Sequence, residues 1–190
     1  MTIYIAFLRG INVGGHNKIK MAELKQMFEA MGFTRVETYI QSGNVLFESS
    51  EKEQFIRKYI EHRIEAVFGY AINVVLRTST DLEQITKKSR FSKEAISNAE
   101  VSSKGESQYV ALLLENPSTE AIERLSSFRI ENEDFLIEGR EIYLLFSNSI
   151  RNSKLANNLQ KLNVPATVRN WKTMNKLTTM SRKKELDSLE

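Results

Sequence analysis

Apolar positions along this chain fall into two rhythms, and their alternation predicts its elements. Residues 3–8 (IYIAFL) are an unbroken apolar run, which reads as a strand covered on both faces. Met21, Leu24, Met27, Phe28 and Met31 then recur at helical spacing, and Gly32 before Phe33 supplies a stop. Methionines at that spacing read as packing rather than as an adaptable surface. Two strand-like runs follow, residues 36–40 and 45–48, joined by the tight-turn sequence Gln41-Ser42-Gly43-Asn44. Ser50 with Glu53 predicts a capping box. Phe55, Ile56, Tyr59, Ile60, Ile64, Val67 and Phe68 then trace a long amphipathic helix ending at Gly69, and residues 72–77 read as a closing strand.

The order strand, helix, strand, strand, helix, strand is the split βαβ arrangement of a ferredoxin-like unit. Thr80 and Glu83 predict a short capped helix behind it, so the first unit with its trailing helix takes residues 1–88. Residues 89–107, rich in Ser, Lys and Glu with no sustained period, read as a linker. Residues 108–190 then repeat the plan. YVALLL at 109–114 echoes YIAFLR at 4–9. Asn116-Pro117 starts a helix with Ile122 and Leu125 inward, residues 135–138 and 141–146 form a hairpin about Gly139-Arg140, Leu155, Leu159 and Leu162 mark a helix, and residues 166–169 a strand. Asn170 is placed to cap a terminal helix with Trp171, Met174 and Leu177 inward, followed by the basic tail Arg182-Lys183-Lys184. The fold class expected is α+β: duplicated ferredoxin-like (βαββαβ) units with mostly antiparallel sheets.

Composition narrows the chemistry. The 190 residues are 41% hydrophobic and 27% charged, as in an ordinary globular protein. No apolar run approaches the roughly 20 residues that span a bilayer, and no basic region precedes the first apolar stretch, so no membrane association and a cytoplasmic location are expected. The chain has no cysteine, which excludes disulfides, thiol catalysis and cysteine-based metal centres. His16 and His62 are the only histidines and are not at ligand spacing, so neither a metal nor a cofactor is indicated. Residues 151–190 carry 9 basic and 3 acidic groups, a surplus able to meet nucleic acid or an acidic ligand, although a tail of this kind is more often solvated.

Residues 9–20 concentrate the candidate chemistry. Gly10, Gly14 and Gly15 lie between the first strand and the first helix, where φ > 0 lets successive N–H groups face one concavity, with Lys18 and Lys20 beside a helix N-terminus. An anion site and a loop needing glycine only for its shape both fit that pattern. In a sheet of order 4-1-3-2 the first strand ends at the same edge as the 41–44 hairpin. Arg9, Gly10, Asn12, Gly14, Gly15, Lys18, Lys20, Gln41, Ser42 and Asn44 would then share one rim, rich in donors and without an adjacent general base. Glu37, Glu48 or a carboxylate of the second half could reach it only through space. A second polar cluster is Arg169, Asn170, Trp171, Thr173 and Lys176; here Trp171 reads as a core anchor before a stacking platform, and Asn170 as a cap before a catalytic group. Ser42 has no neighbouring His and no GxSxG elbow occurs. GINVGGHNK matches neither G-x-x-x-x-G-K-[ST] nor G-x-G-x-x-G. Strands apolar at nearly every position count against an open RNA-binding sheet.

Three segments together, LRGINVGGHNKIKM at 8–21, TYIQSGNVLF at 38–47 and TVRNWKTMNKL at 167–177, resemble the signature segments of the bacterial domain-of-unknown-function family 1697. Its members usually read RNWNT, and Lys172 departs from that asparagine. The resemblance implies a duplicated ferredoxin-like architecture and carries no established activity. The function expected is binding of a small anionic or phosphorylated ligand at the glycine-rich loop. The alternatives are an enzyme acting on such a ligand, or a nucleic-acid or protein interaction module, nucleic acid having the weaker support.

Overall fold

The computed structural model describes residues 1–87, 89–103, 105–128, 133–150 and 153–187. The chain divides into two compact units, residues 1–84 with 176–190, and residues 85–175.

In the first unit, β1 (Thr2–Leu8), α1 (Met21–Ala30), β2 (Thr34–Tyr39), β3 (Asn44–Ser49), α2 (Glu53–Phe68) and β4 (Val74–Thr78) follow the expected order. The strands line up as β2-β3-β1-β4, every neighbouring pair antiparallel, so β1 ends at the edge where the β2–β3 hairpin turns. Strand periodicity sorts the residues. Tyr4, Ala6, Leu8, Val45, Phe47, Val74 and Leu76 pack with Leu24 and Phe28 of α1 and Ile56, Ile60 and Ile64 of α2. Phe47 holds this core together, with ring centroids 4.5 Å from Phe33 and 5.3 Å from Phe28. Each such side chain contributes roughly 1.5–3 kcal/mol by leaving water. Ile5, Phe7, Leu46 and Val75 point to the opposite face and are buried too, which explains why β1 is apolar throughout.

Both glycine stops form as the pattern predicts. Gly32 (φ 87) follows α1, and Gly69 (φ 76) caps α2 with its N–H on the Glu65 carbonyl at 2.9 Å. The Ser50–Glu53 capping box does not form. Glu53 is itself the first helical residue, two positions short of where the reciprocal bond is made, and Lys52 is the cap. The trailing helix α3 (Ser79–Thr86) starts directly from β4 and is capped by Thr78 with Asp81, at 3.1 and 2.8 Å, rather than by Thr80 with Glu83.

The second unit holds α4 (Lys93–Ser102), β5 (Gln108–Leu113), α5 (Thr119–Ser126), β6 (Glu133–Glu138), β7 (Glu141–Phe146), α6 (Lys154–Asn158), a 3-10 turn (Leu159–Leu162) and β8 (Ala166–Asn170), and α7 (Trp171–Leu186) starts here. Its sheet has the order β6-β7-β5-β8, again antiparallel throughout, with Ala111, Leu113, Ile142, Leu144 and Phe146 packed with Leu125, Leu155, Leu159 and Leu162. The architecture is therefore α+β with a duplicated unit. The stretch expected as a linker contains α4, capped by the Ser92 hydroxyl on the Ala95 amide at 3.1 Å; Ala99 is its buried residue, too little apolar surface to set a period. Lys104 of that stretch lies outside the described residues. Helix α5 starts at Thr119 under a Ser118 cap, after Asn116-Pro117 rather than on it. In α7, Met174 and Leu177 are buried as expected, but Trp171 is only half-buried and anchors no core.

The basic end of α7 corrects the expectation of a solvated tail. Lys184 is buried, its Nζ donating to the Arg35 carbonyl at 2.7 Å and pairing with Glu37 at 3.2 Å. Arg35, left-handed at φ 51 where β2 shifts register, donates to Glu48 at 2.7 Å and to the Lys184 carbonyl at 2.8 Å. Arg182 and Lys183 are both exposed, Arg182 pairing with Glu83 at 2.5 Å and Lys183 having no ion pair among the described residues. Among the described residues no helix is long and apolar enough to cross a membrane.

Candidate functional site

The first unit brings the glycine loop and the hairpin onto one edge, and the reason lies in three residues. Leu8 donates its N–H to the Gly43 carbonyl at 2.9 Å, so β1 hands over to the loop directly beside the hairpin tip. Ile11 then folds back beneath that tip. A Cβ on Gly43 (φ 78) would stand 2.5 Å from Ile11 Cδ1 and 2.9 Å from Leu8 Cβ, so only glycine fits there. Asn12 finishes the bracket: its Nδ2 donates to the Ile19 and Gln41 carbonyls, each at 2.9 Å, while its Oδ1 accepts the Ile19 N–H at 2.9 Å.

The loop tip is a small hairpin. Gly14 and Gly15 (φ 58 and 82) form a two-residue turn closed by the His16 N–H on the Val13 carbonyl at 3.0 Å and the Asn12 N–H on the Asn17 carbonyl at 3.2 Å. Shape alone therefore accounts for this pair. Twelve described residues have positive φ, and seven of them, Gly10, Asn12, Gly14, Gly15, Asn17, Ile40 and Gly43, lie on this edge. Ile40 is the costly one. A β-branched residue at φ 50 is a steric outlier, worth about 1–3 kcal/mol of strain, and Ile40 is 46% exposed as well.

Not every expected rim residue is available to a ligand. Asn12 and Asn44 are engaged internally; Asn44 is buried and donates to the Tyr39 carbonyl at 2.9 Å and the Ser42 hydroxyl at 3.0 Å. The side chains of Arg9, Lys18 and Gln41 are exposed, and among the described residues no hydrogen bond or ion pair reaches them, although the Arg9 N–H donates to the Asn73 carbonyl at 3.0 Å. Lys20 is exposed but tied to Glu23 at 3.2 Å. Gly10, Gly14 and Gly15 present exposed backbone. The acids considered as distant bases are held elsewhere, Glu37 by Lys184 and Glu48 by Arg35.

The second polar cluster is architectural in its larger part. Arg169 is buried on β8, its Nη1 donating to Thr167 Oγ1 at 2.7 Å and the Val168 carbonyl at 2.9 Å, and burial holds its pKa down to about 10. Arg77 of β4 repeats this geometry in the first unit, buried and donating to the Leu76 carbonyl at 2.7 Å. The registers correspond, Ile5 opposite Arg77 and Val110 opposite Arg169. Asn170 caps α7 through the Thr173 N–H at 2.8 Å, and Thr173 is buried. Trp171 lines a hollow of about 170 Å³ with Glu100, Glu106 and Lys172, while Lys176 is exposed and belongs to the first unit.

Two features escaped the sequence. The left-handed Ile40 carries no composition signal, because its strain is set by the turn that Gly43 and Asn44 close. Arg63 of α2 has nothing in the sequence to mark it, yet its Nε is buried without a partner.

A comparison with curated proteins finds no match. Among solved structures, a conserved bacterial protein from Streptococcus pneumoniae is similar, with a TM-score of 0.72 and 26% identity over 95% of this chain and 98% of that one. The profile of a family described as a protein of unknown function, DUF1697, matches residues 1–143, which include the glycine loop and the 41–44 hairpin, and the chain belongs to that family.

Proposed function

We propose that the edge formed by residues 9–20 and the 41–44 hairpin binds a small anionic ligand, a phosphorylated metabolite being the class that fits best. The observation that carries this reading is the concentration of left-handed backbone at that edge, above all Ile40 held at φ 50 in the open. Strain of this kind persists only where the surroundings over-determine it, and it gathers at ligand sites. Arg9 and Lys18 supply exposed charge beside it, Gln41 and the glycine-turn amides supply neutral donors, and Asn12 and Asn44 hold the shape. With donors in excess and the nearby carboxylates paired, binding is favoured over acid–base catalysis. The nucleic-acid alternative loses support, because Arg182 and Lys184 are engaged and β1 is buried on both faces.

The test is a titration of phosphate-bearing metabolites and single-stranded oligonucleotides against wild type, Arg9→Ala and Lys183→Ala. Charge-assisted hydrogen bonds contribute about 1.5–3 kcal/mol, so Arg9→Ala should weaken a metabolite tenfold or more while Lys183→Ala leaves it unchanged. Oligonucleotide binding that depends steeply on salt and ignores Arg9 would favour diffuse electrostatics instead.

A further inference from the structure

On the helical side of the first unit, α1 and α2 leave a groove of about 400 Å³ between them, lined by Glu23, Met27, Ala30, Arg63, Val67 and Phe68. Its volume lies within the roughly 300–1,000 Å³ of small-molecule sites. Most of the wall is apolar, and Val67 is 48% exposed there. Glu23, Gln26 and Arg63 are its polar members. The neighbours of Arg63, Ile60 and Ile64, turn into the core, which sets Arg63 on the flank of α2 at the groove. The Nε of Arg63 is buried with no hydrogen-bond partner, and among the described residues nothing pairs with its guanidinium. Glu23, the carboxylate in the same groove, is bound to Lys20 at 3.2 Å.

The buried Nε is closed to solvent, so an acceptor arriving from solution meets the outer nitrogens of the guanidinium, which have no acceptor among the described residues. A carboxylate does so best, because its two oxygens match the guanidinium fork. One cation beside one carboxylate favours a monoanion over a phosphate dianion. The apolar wall offers a hydrocarbon tail a place to leave water.

We propose that this groove binds a small amphiphilic carboxylate, with the head group on Arg63 and the apolar tail over Met27, Ala30, Val67 and Phe68. The site adjoins the loop edge only through the Lys20–Glu23 pair, and it stands or falls independently of the anion reading made for that edge.

The experiment is calorimetric titration of the full chain with octanoate, 1-octanol and inorganic phosphate, using wild type, Arg63→Met, Val67→Glu and Arg9→Ala. Methionine keeps the length and helix preference of the side chain while removing its charge. Octanoate binds wild type and Arg9→Ala alike, binds Arg63→Met about tenfold or more weakly, and loses affinity for Val67→Glu. Octanol binds more weakly than octanoate and does not distinguish Arg63→Met from wild type, and phosphate does not displace octanoate. Without ligand, Arg63→Met melts at the same temperature as wild type or higher, since an orphan donor has gone. The proposal is overturned if wild type does not bind octanoate, if Arg63→Met binds it equally well, if phosphate displaces it, or if Arg63→Met alone lowers the melting temperature.

Discussion

The two units share one scaffold and differ at one edge. Both have the strand order 4-1-3-2 with antiparallel pairing, both bind the end of the first strand to the hairpin by a backbone hydrogen bond (Leu8 to Gly43, Leu113 to Arg140), and both bury an arginine at the same register of the fourth strand. After the first strand they part. In the first unit residues 9–20 bury Ile11 and Ile19 and carry five left-handed positions; in the second, residues 114–118 make a short link to α5. Beside that link a hollow of about 450 Å³, lined by Pro117, Ile122, Phe135 and Ile137, stays open. Neither sheet needs a long loop to close, since the second does without one. An elaboration the fold does not require is where function is best sought.

The largest effect should come from the hairpin glycines, which look alike in sequence and differ in surroundings. Gly43→Ala drives a Cβ into Ile11 and Leu8 at a positive φ, so chemical denaturation should show a loss of ~3 kcal/mol, from overpacking and backbone strain together. Gly139→Ala in the second unit meets nothing closer than 3.8 Å and should lose only about 1 kcal/mol, the φ penalty alone. Equal losses would erase the contrast between the edges.

Next comes Asn12→Ala, which removes three hydrogen bonds and a residue tolerant of φ 54; about 2 kcal/mol should go. Amide exchange should quicken across residues 10–19 while the second unit keeps its protection. Uniform quickening would mean that the bracket is global rather than local.

Lys184→Met should cost the first unit about 1–2 kcal/mol in urea, because the Arg35 carbonyl and Glu37 lose their partner. A neutral result would return the end of α7 to the role of a solvated tail.

The smallest effect is confined to alkaline pH. Burial pushes Tyr143 up to about 12, with the Arg90 guanidinium 4.5 Å above its ring pulling the other way and Glu138 and Glu141 raising it further. The folded state thus favours the neutral phenol. Its contribution is complete below the ordinary tyrosine value near 10 and fades as pH rises from there towards 12. Tyr143→Phe should flatten stability across that window and remove a late-ionising tyrosine from an absorbance titration. A titration identical to wild type would place Tyr143 in contact with solvent.

Strand order and both glycine stops were legible because they depend on local period and on rules of connection. What escaped depends on partners far along the chain. The pairing of Lys184 with Arg35 joins residues 149 apart, and the bracket from Asn12 to Gln41 spans 29. Helix α4 was hidden for a different reason: with Ala99 as its buried residue it writes no apolar stripe. At the candidate edge the residues were nameable and their roles were not. Asn12 and Lys18 are both polar loop residues in the sequence, and only the fold shows that one is engaged on both polar atoms of its side chain and the other is exposed.

The central claim, that the elaborated edge of the first unit is where a ligand binds, is tested most directly by amide spectra of isotope-labelled protein titrated with phosphorylated metabolites. Saturable shifts at Arg9, Gly10, Gly14, Gly15, Lys18 and Gln41, with Gly139 and Arg140 of the plain edge silent, are the predicted result. Shifts centred on the second unit, or on Lys183 at the end of α7, with the glycine loop unmoved, would contradict it.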